Sequence, residues 1–136
     1  MYRRLTHLSL IILAVLAMTF VVAGCGGSEL TSYTETDASK TIDAAVEEEF
    51  EIVLEGNEST GFLWVMGEGT DEKIVEKVSD EYIEPNTGAA GAGGKHYWTF
   101  KAKGAGETTI KLEYKRPWEP TASPEKTLNY KVNVVE

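Results

Sequence analysis

Thr108-Thr109-Ile110-Lys111-Leu112-Glu113-Tyr114-Lys115 alternates in twos, with Thr108, Ile110, Leu112 and Tyr114 set against Thr109, Lys111, Glu113 and Lys115. Successive side chains of a strand point to opposite faces, so this run offers one face to a core and one to water. At a helical period of about 3.6 the same apolar residues would scatter around the axis. The pattern repeats on both sides. Downstream, Leu128, Tyr130, Val132 and Val134 alternate with Thr127, Asn129, Lys131 and Asn133. Upstream, Trp98, Phe100 and Ala102 alternate with Tyr97, Thr99, Lys101 and Lys103. Further back come Phe62, Trp64 and Met66, then Phe50, Ile52 and Leu54 between glutamates, then Ile42, Ala44 and Val46. Ile74, Val75 and Val78 fit either a helical turn or a kinked strand, and a strand is the favoured reading.

Turn residues punctuate these runs at Gly56, at Gly67-Glu68-Gly69, and across residues 86–94, 104–106 and 117–124. Seven or eight short strands in roughly 100 residues predict an all-β fold, an immunoglobulin-like antiparallel β-sandwich. Trp64 takes the place of the buried tryptophan of such sandwiches. No cysteine pair accompanies it, since Cys25 is the sole cysteine, so the core must hold by packing.

Residues ahead of the strands read as an address. Arg3 and Arg4 precede an apolar run from Leu8 to Ala23, which ends in Val22-Ala23-Gly24-Cys25. A basic start, an apolar middle and small residues before a cut make a secretory signal. A cysteine directly after the cut fits the lipobox pattern of prokaryotic lipoproteins. The apolar run falls short of the roughly 20 residues a span needs. The expected organisation is a signal over residues 1–24, a lipidated Cys25 with a flexible tether over 25–40, and the sandwich over 41–136. That places the domain outside the cytoplasm, anchored by lipid to a prokaryotic membrane. Cleavage takes the formal charge from -9 to -11, because Arg3 and Arg4 leave with the signal. So acidic a surface argues against nucleic acid as a partner, since phosphate contacts need clustered Lys and Arg.

Catalytic chemistry finds little material. The mature part holds one histidine, His96, and no thiol free of lipid. A Ser-His-Asp site requires three groups to converge, and nothing in the spacing brings them together. His96 is expected to be a partly exposed strand or loop residue. Glu47-Glu48-Glu49 with Glu51 is dense in acid, but strand neighbours face opposite ways, so it reads as a solvated edge and not a metal site. Gly88-Ala89-Ala90-Gly91-Ala92-Gly93-Gly94-Lys95 is not a phosphate loop, because alanine stands at 89 and His96 follows the lysine. No cofactor and no metal are implied, and an enzyme is not expected.

Three loops remain. Asn57-Glu58-Ser59-Thr60-Gly61 leads into Phe62, Gly91-Ala92-Gly93-Gly94 leads into the strand of Trp98, and Arg116-Pro117-Trp118 follows Lys115. In an up-and-down sandwich all three connections gather at one end. In this order the motifs resemble the chagasin family, protein inhibitors of papain-like cysteine peptidases. That family carries Asn-Pro-Thr-Thr-Gly-Tyr/Phe-x-Trp, then Gly-x-Gly-Gly, then Arg-Pro-Trp. Matches here are Asn57, Thr60, Gly61, Phe62 and Trp64; Gly91, Gly93 and Gly94; Arg116, Pro117 and Trp118. The resemblance covers about residues 40 to 136. Glu58 stands where proline is usual and Ser59 where the first threonine is usual.

The resemblance implies a reversible inhibitor acting as a monomer on papain-like peptidases. The loop from Asn57 to Gly61 would lie over the target's thiol, and the other two would grip the cleft walls. Gly61, Gly93 and Gly94 suit close approach and positive φ. Arg116 and Trp118 are residue types common at binding hot spots. Loss of the usual proline at Glu58 should loosen the free loop by about 0.4–1 kcal/mol. A second reading keeps the same loops on a membrane-tethered module that binds a glycan or a protein, with Trp118 stacking on a sugar.

Overall fold

The computed structural model describes residues 29–136. The signal and Cys25 lie outside the described residues. Eight strands follow one another: β1 (Thr31–Tyr33), β2 (Thr41–Ala45), β3 (Glu49–Gly56), β4 (Leu63–Met66), β5 (Val75–Ile83), β6 (Gly94–Ala102), β7 (Gly106–Lys115) and β8 (Lys126–Val135). Two short 3-10 turns interrupt them, at Glu35–Ser39 and Glu58–Thr60. The strands form two four-stranded sheets, ordered β1-β3-β6-β5 and β2-β8-β7-β4. The all-β sandwich expected from the alternation is the architecture observed.

Register carries the apolar stripes inward. Phe50 pairs with Phe100 and Ile52 with Trp98 in the first sheet, while Ile110 pairs with Tyr130 in the second. All six are buried, with Ile42, Leu54, Leu112, Val132 and Val134 beside them. Each large side chain so removed from water contributes about 1.5–3 kcal/mol. Phe50 and Phe100 stack at 5.8 Å between ring centres.

Four expectations change. The sheets are mixed, because β1 runs parallel to β3 and β2 parallel to β8. Residues 31–39 are not tether but part of the fold. β1 pairs with β3, Tyr33 sets its ring edge against Phe50, and the Tyr130 hydroxyl donates to the Thr34 carbonyl at 2.9 Å. Asp37 accepts from the Thr34 amide and from Lys40, both at 2.9 Å, which fixes the first 3-10 turn. This arm was hidden because polar bonds, not an apolar stripe, hold it.

The acid run is not a sheet edge. Glu47 and Glu48 form the turn into β3, Glu47 at φ 73°, and β3 lies between β1 and β6. The edges of that sheet are the three-residue β1 and the longer β5. Val78 lies on β5. There Lys77 and Asp80 pair with Phe100 and Trp98 across the ladder, and so share the core-facing side. A bulge at Val78 and charged side chains along the strand are devices that discourage edge-to-edge association.

Finally, His96 is buried on β6, stacked on Trp98 at 4.6 Å. Desolvation lowers its pKa, against the pull of the Asp80 carboxylate 3.6 Å away.

Candidate functional site

Chain direction decides where the loops go. β3 and β5 both run antiparallel to β6, so residues 57–61 and the Gly91–Gly94 region emerge at the same end. Residues 116–118 leave β7, whose Lys115 pairs with Leu63 at the start of β4. The return strand after the first loop thus begins beside the last residue before the third.

The first loop is built by Asn57. Its Oδ1 accepts the Ser59 amide at 3.2 Å and the Ser59 hydroxyl at 2.5 Å. Its carbonyl accepts the Thr60 amide at 3.1 Å and the Thr60 hydroxyl at 2.6 Å. The Gly61 amide closes the turn on the Glu58 carbonyl at 2.9 Å, and Gly61 turns the chain with φ 84°. Glu58 opens the turn, a position where proline is tolerated. The loop that lacks the usual proline is held by hydrogen bonds of Asn57, Ser59 and Thr60.

Side chains bind the loops to one another. Asn57 Nδ2 donates to the Gly91 carbonyl at 2.7 Å. A Cβ placed on Gly61 would lie 2.6 Å from the Trp118 ring, so the bare backbone there seats the indole. The Arg116 guanidinium lies 4.5 Å over the Phe62 ring, a cation–π arrangement. Phe62 stacks in turn on Tyr114 at 5.4 Å. Beneath them Trp64 is buried and donates to the Glu55 carbonyl at 2.9 Å. Trp118 stays 61 % exposed, which separates it from the core tryptophans. Glu58, Ser59, Thr60 and Pro117 are exposed, while Phe62, Ala92 and Arg116 are half-buried.

The glycines of the second loop differ in purpose. Gly91 has φ 79°, whereas positive φ is absent at Gly93 and Gly94, contrary to expectation for Gly94 and Gly93. Crowding favours glycine at both and demands it at Gly94. A Cβ on Gly93 would sit 3.1 Å from the Gly56 carbonyl oxygen, and one on Gly94 would be 2.7 Å from the Tyr82 hydroxyl.

Two residues escaped the sequence reading. Tyr82 accepts the Gly94 amide at 3.0 Å and reaches the Gly56 carbonyl at 3.4 Å. Tyr114 accepts the Asn57 amide at 3.0 Å. Neither stood out in the sequence, because alternation reveals a ring's face and not what its hydroxyl meets. Together the loops present a polar turn, a glycine-lined backbone and a bare indole.

Comparison with known proteins identifies the family to which the chain is similar. The family described as Chagasin family peptidase inhibitor I42 matches residues 43–132. Amoebiasin-1 of Entamoeba histolytica is 40% identical over 105 residues, covering 76% of this chain and 98% of that protein. Chagasin of Trypanosoma cruzi is 36% identical over 88 residues, covering 62% of this chain and 80% of its own. A crystallised cysteine protease inhibitor of Entamoeba histolytica superposes with a TM-score of 0.67 at 25% identity, covering 78% of this chain and 95% of that one. This chain belongs to the chagasin family of peptidase inhibitors, and is an inhibitor rather than an enzyme.

Proposed function

We propose that this protein inhibits papain-like cysteine peptidases reversibly, by filling the active-site cleft with its three joined loops. The observation that carries this reading is their mutual fastening: Asn57 to Gly91, Trp118 to Gly61, Arg116 to Phe62. Loops already held in one arrangement lose little further freedom on binding, which raises affinity. Residues 57–61 cover the catalytic thiol. Gly91, Ala92, Gly93 and Gly94 line one wall of the cleft, and Arg116, Pro117 and Trp118 the other. The turn at Glu58–Thr60 offers the nucleophile a folded-back backbone in place of an extended peptide, so the inhibitor is not cleaved. It works as a monomer.

The test is a titration of papain with purified residues 29–136. Inhibition at submicromolar concentration, with the inhibitor intact afterwards, is expected. Trp118→Ala should weaken it by about 2 kcal/mol or more, the scale of an interface hot spot. Absence of inhibition toward any papain-like enzyme at high concentration contradicts the reading.

We also infer that Cys25 carries lipid and anchors the domain to a prokaryotic membrane. The orientation this gives is favourable. Thr31 pairs with Phe50 near the start of β3, while the first loop leaves β3 after Gly56. Six residues of strand separate the two points, about 20 Å at the usual rise. The chain thus enters the sandwich at the end away from the loops, and the inhibitory face points outward from the membrane. Cells given labelled palmitate should label the protein, and Cys25→Ala should release it to the medium. Label retained in Cys25→Ala contradicts the anchor.

A further inference from the structure

Gly56 and Gly94 are the last register partners of β3 and β6. Beyond them the two strands part into the first and second loops. One peptide group, joining Gly56 to Asn57, forms the root of the first loop, and both its polar atoms meet a tyrosine. The carbonyl of Gly56 accepts from the Tyr82 hydroxyl at 3.4 Å. The amide of Asn57 donates to the Tyr114 hydroxyl at 3.0 Å. Tyr82 lies on β5 of one sheet and Tyr114 on β7 of the other.

We propose that Tyr82 and Tyr114 are positioning residues, which grip this one peptide from both sheets and so aim the inhibitory loop. The assignment rests on the inhibitory reading of the loops and adds two residues outside them.

The geometry is specific at each side. Tyr82 also accepts the Gly94 amide at 3.0 Å, so one hydroxyl ties the second loop's base to the first's. Reaching Gly56 from β5 means passing β6, which lies between β5 and β3. The absent side chain of Gly94 leaves that path open, since a Cβ there would collide with the Ile83 carbonyl and crowd Tyr82. Tyr114 reaches the same peptide from below. Its ring is locked between Phe62 at 5.4 Å and Trp64 at 5.0 Å. A peptide plane has one rotational freedom about the chain axis once its ends are fixed. The 3.0 Å bond at the amide and the longer 3.4 Å contact at the carbonyl together restrict it. Asn57 begins at that plane, and Asn57 in turn holds Ser59, Thr60 and Gly91.

Tyr82→Phe and Tyr114→Phe keep both rings and delete only the hydroxyls. Each should weaken papain inhibition roughly tenfold, the scale of one lost hydrogen bond and its stranded partner. The loss should fall mainly on the association rate, because fewer molecules hold the loop ready. Amide hydrogen exchange should quicken at Asn57 in Tyr114→Phe and at Gly94 in Tyr82→Phe, with Ile52 and Ile110 unchanged. Inhibition rates equal to wild type, or exchange that quickens equally in the core, overturns the proposal. The exchange measurement needs no peptidase. If the wild-type protein inhibits nothing, the inhibitory reading fails by itself, and exchange at Asn57 and Gly94 still decides whether the two hydroxyls hold the loop roots.

Discussion

Residues 57–61 and residues 88–93 reach the same end of the sandwich and are built in opposite ways. The first loop bonds within itself, through Asn57, Ser59, Thr60 and the Gly61 amide. The second has Gly88 and Gly91 at positive φ, with open space where a Cβ would stand. Its internal support is the Ala92 amide on the Ala89 carbonyl at 3.3 Å. Firmer fastening comes from outside, from Asn57 at Gly91 and from Tyr82 at Gly94. Hydrogen bonding at the loop end is therefore concentrated in one polar turn, which also fastens its glycine-rich neighbour. Backbone conformation alone would treat Gly61 and Gly91 alike, since both are left-handed; their surroundings do not.

That contrast can be broken by one methyl group. Gly61→Ala strains the backbone by about 1–2 kcal/mol and drives into Trp118 as well. Inhibition should fall by roughly 3 kcal/mol in total, on the hot-spot scale. Gly91→Ala carries the same backbone strain but meets open space, so it should weaken inhibition by only about 1 kcal/mol. Paired inhibition constants measure the difference, and equal losses would show that the packing of Trp118 on Gly61 is irrelevant.

Next in size is Asn57→Ala, which removes a turn cap at a usual cost of about 0.5–2 kcal/mol. If stiffness passes from the first loop to the second, the backbone signals of Gly91 and Ala92 should shift and broaden along with those of Ser59. Changes confined to residues 58–61 would mean that the second loop holds its own shape.

The smallest effect concerns acid. The arm turn depends on Asp37, whose carboxyl is pulled down to about 2, first by its hydrogen bond with Lys40 and then by Thr34. A carboxyl with a depressed folded pKa stabilises fully above its unfolded value and loses that contribution as pH falls through the folded one. The Thr34 amide signal should therefore move between about pH 4 and pH 2. The hydrogen bonds of the first loop join neutral groups, so the Thr60 amide should keep its exchange protection over that range. Asp37→Asn should abolish the Thr34 titration.

How much of this was legible follows from the kind of signal each part leaves. The stripes of β3, β6, β7 and β8 were readable because a buried sheet face forces apolar residues to every second position. Arm residues 31–39 left no such trace. Tyr33 is their large ring against the core, and the rest is secured by hydroxyls, carboxylates and a three-residue strand. Parallel pairing of β2 with β8 joins residues far apart in the chain, which local pattern cannot reveal. His96 looked exposed because it is polar, yet stacking on Trp98 makes it a core residue. At the loop end, glycines and the Arg116-Pro117-Trp118 string marked three segments that the fold brings together. What joins them was not readable, because an asparagine that bridges two loops and one that caps a turn are the same letter.

The most direct measurement is the alkylation rate of papain's catalytic cysteine with residues 29–136 bound at saturation. With the turn at Glu58–Thr60 seated over the thiol, iodoacetamide should react only as fast as the complex dissociates. Alkylation at the rate of free papain, in a complex that still blocks substrate hydrolysis, would contradict a loop lying over the nucleophile.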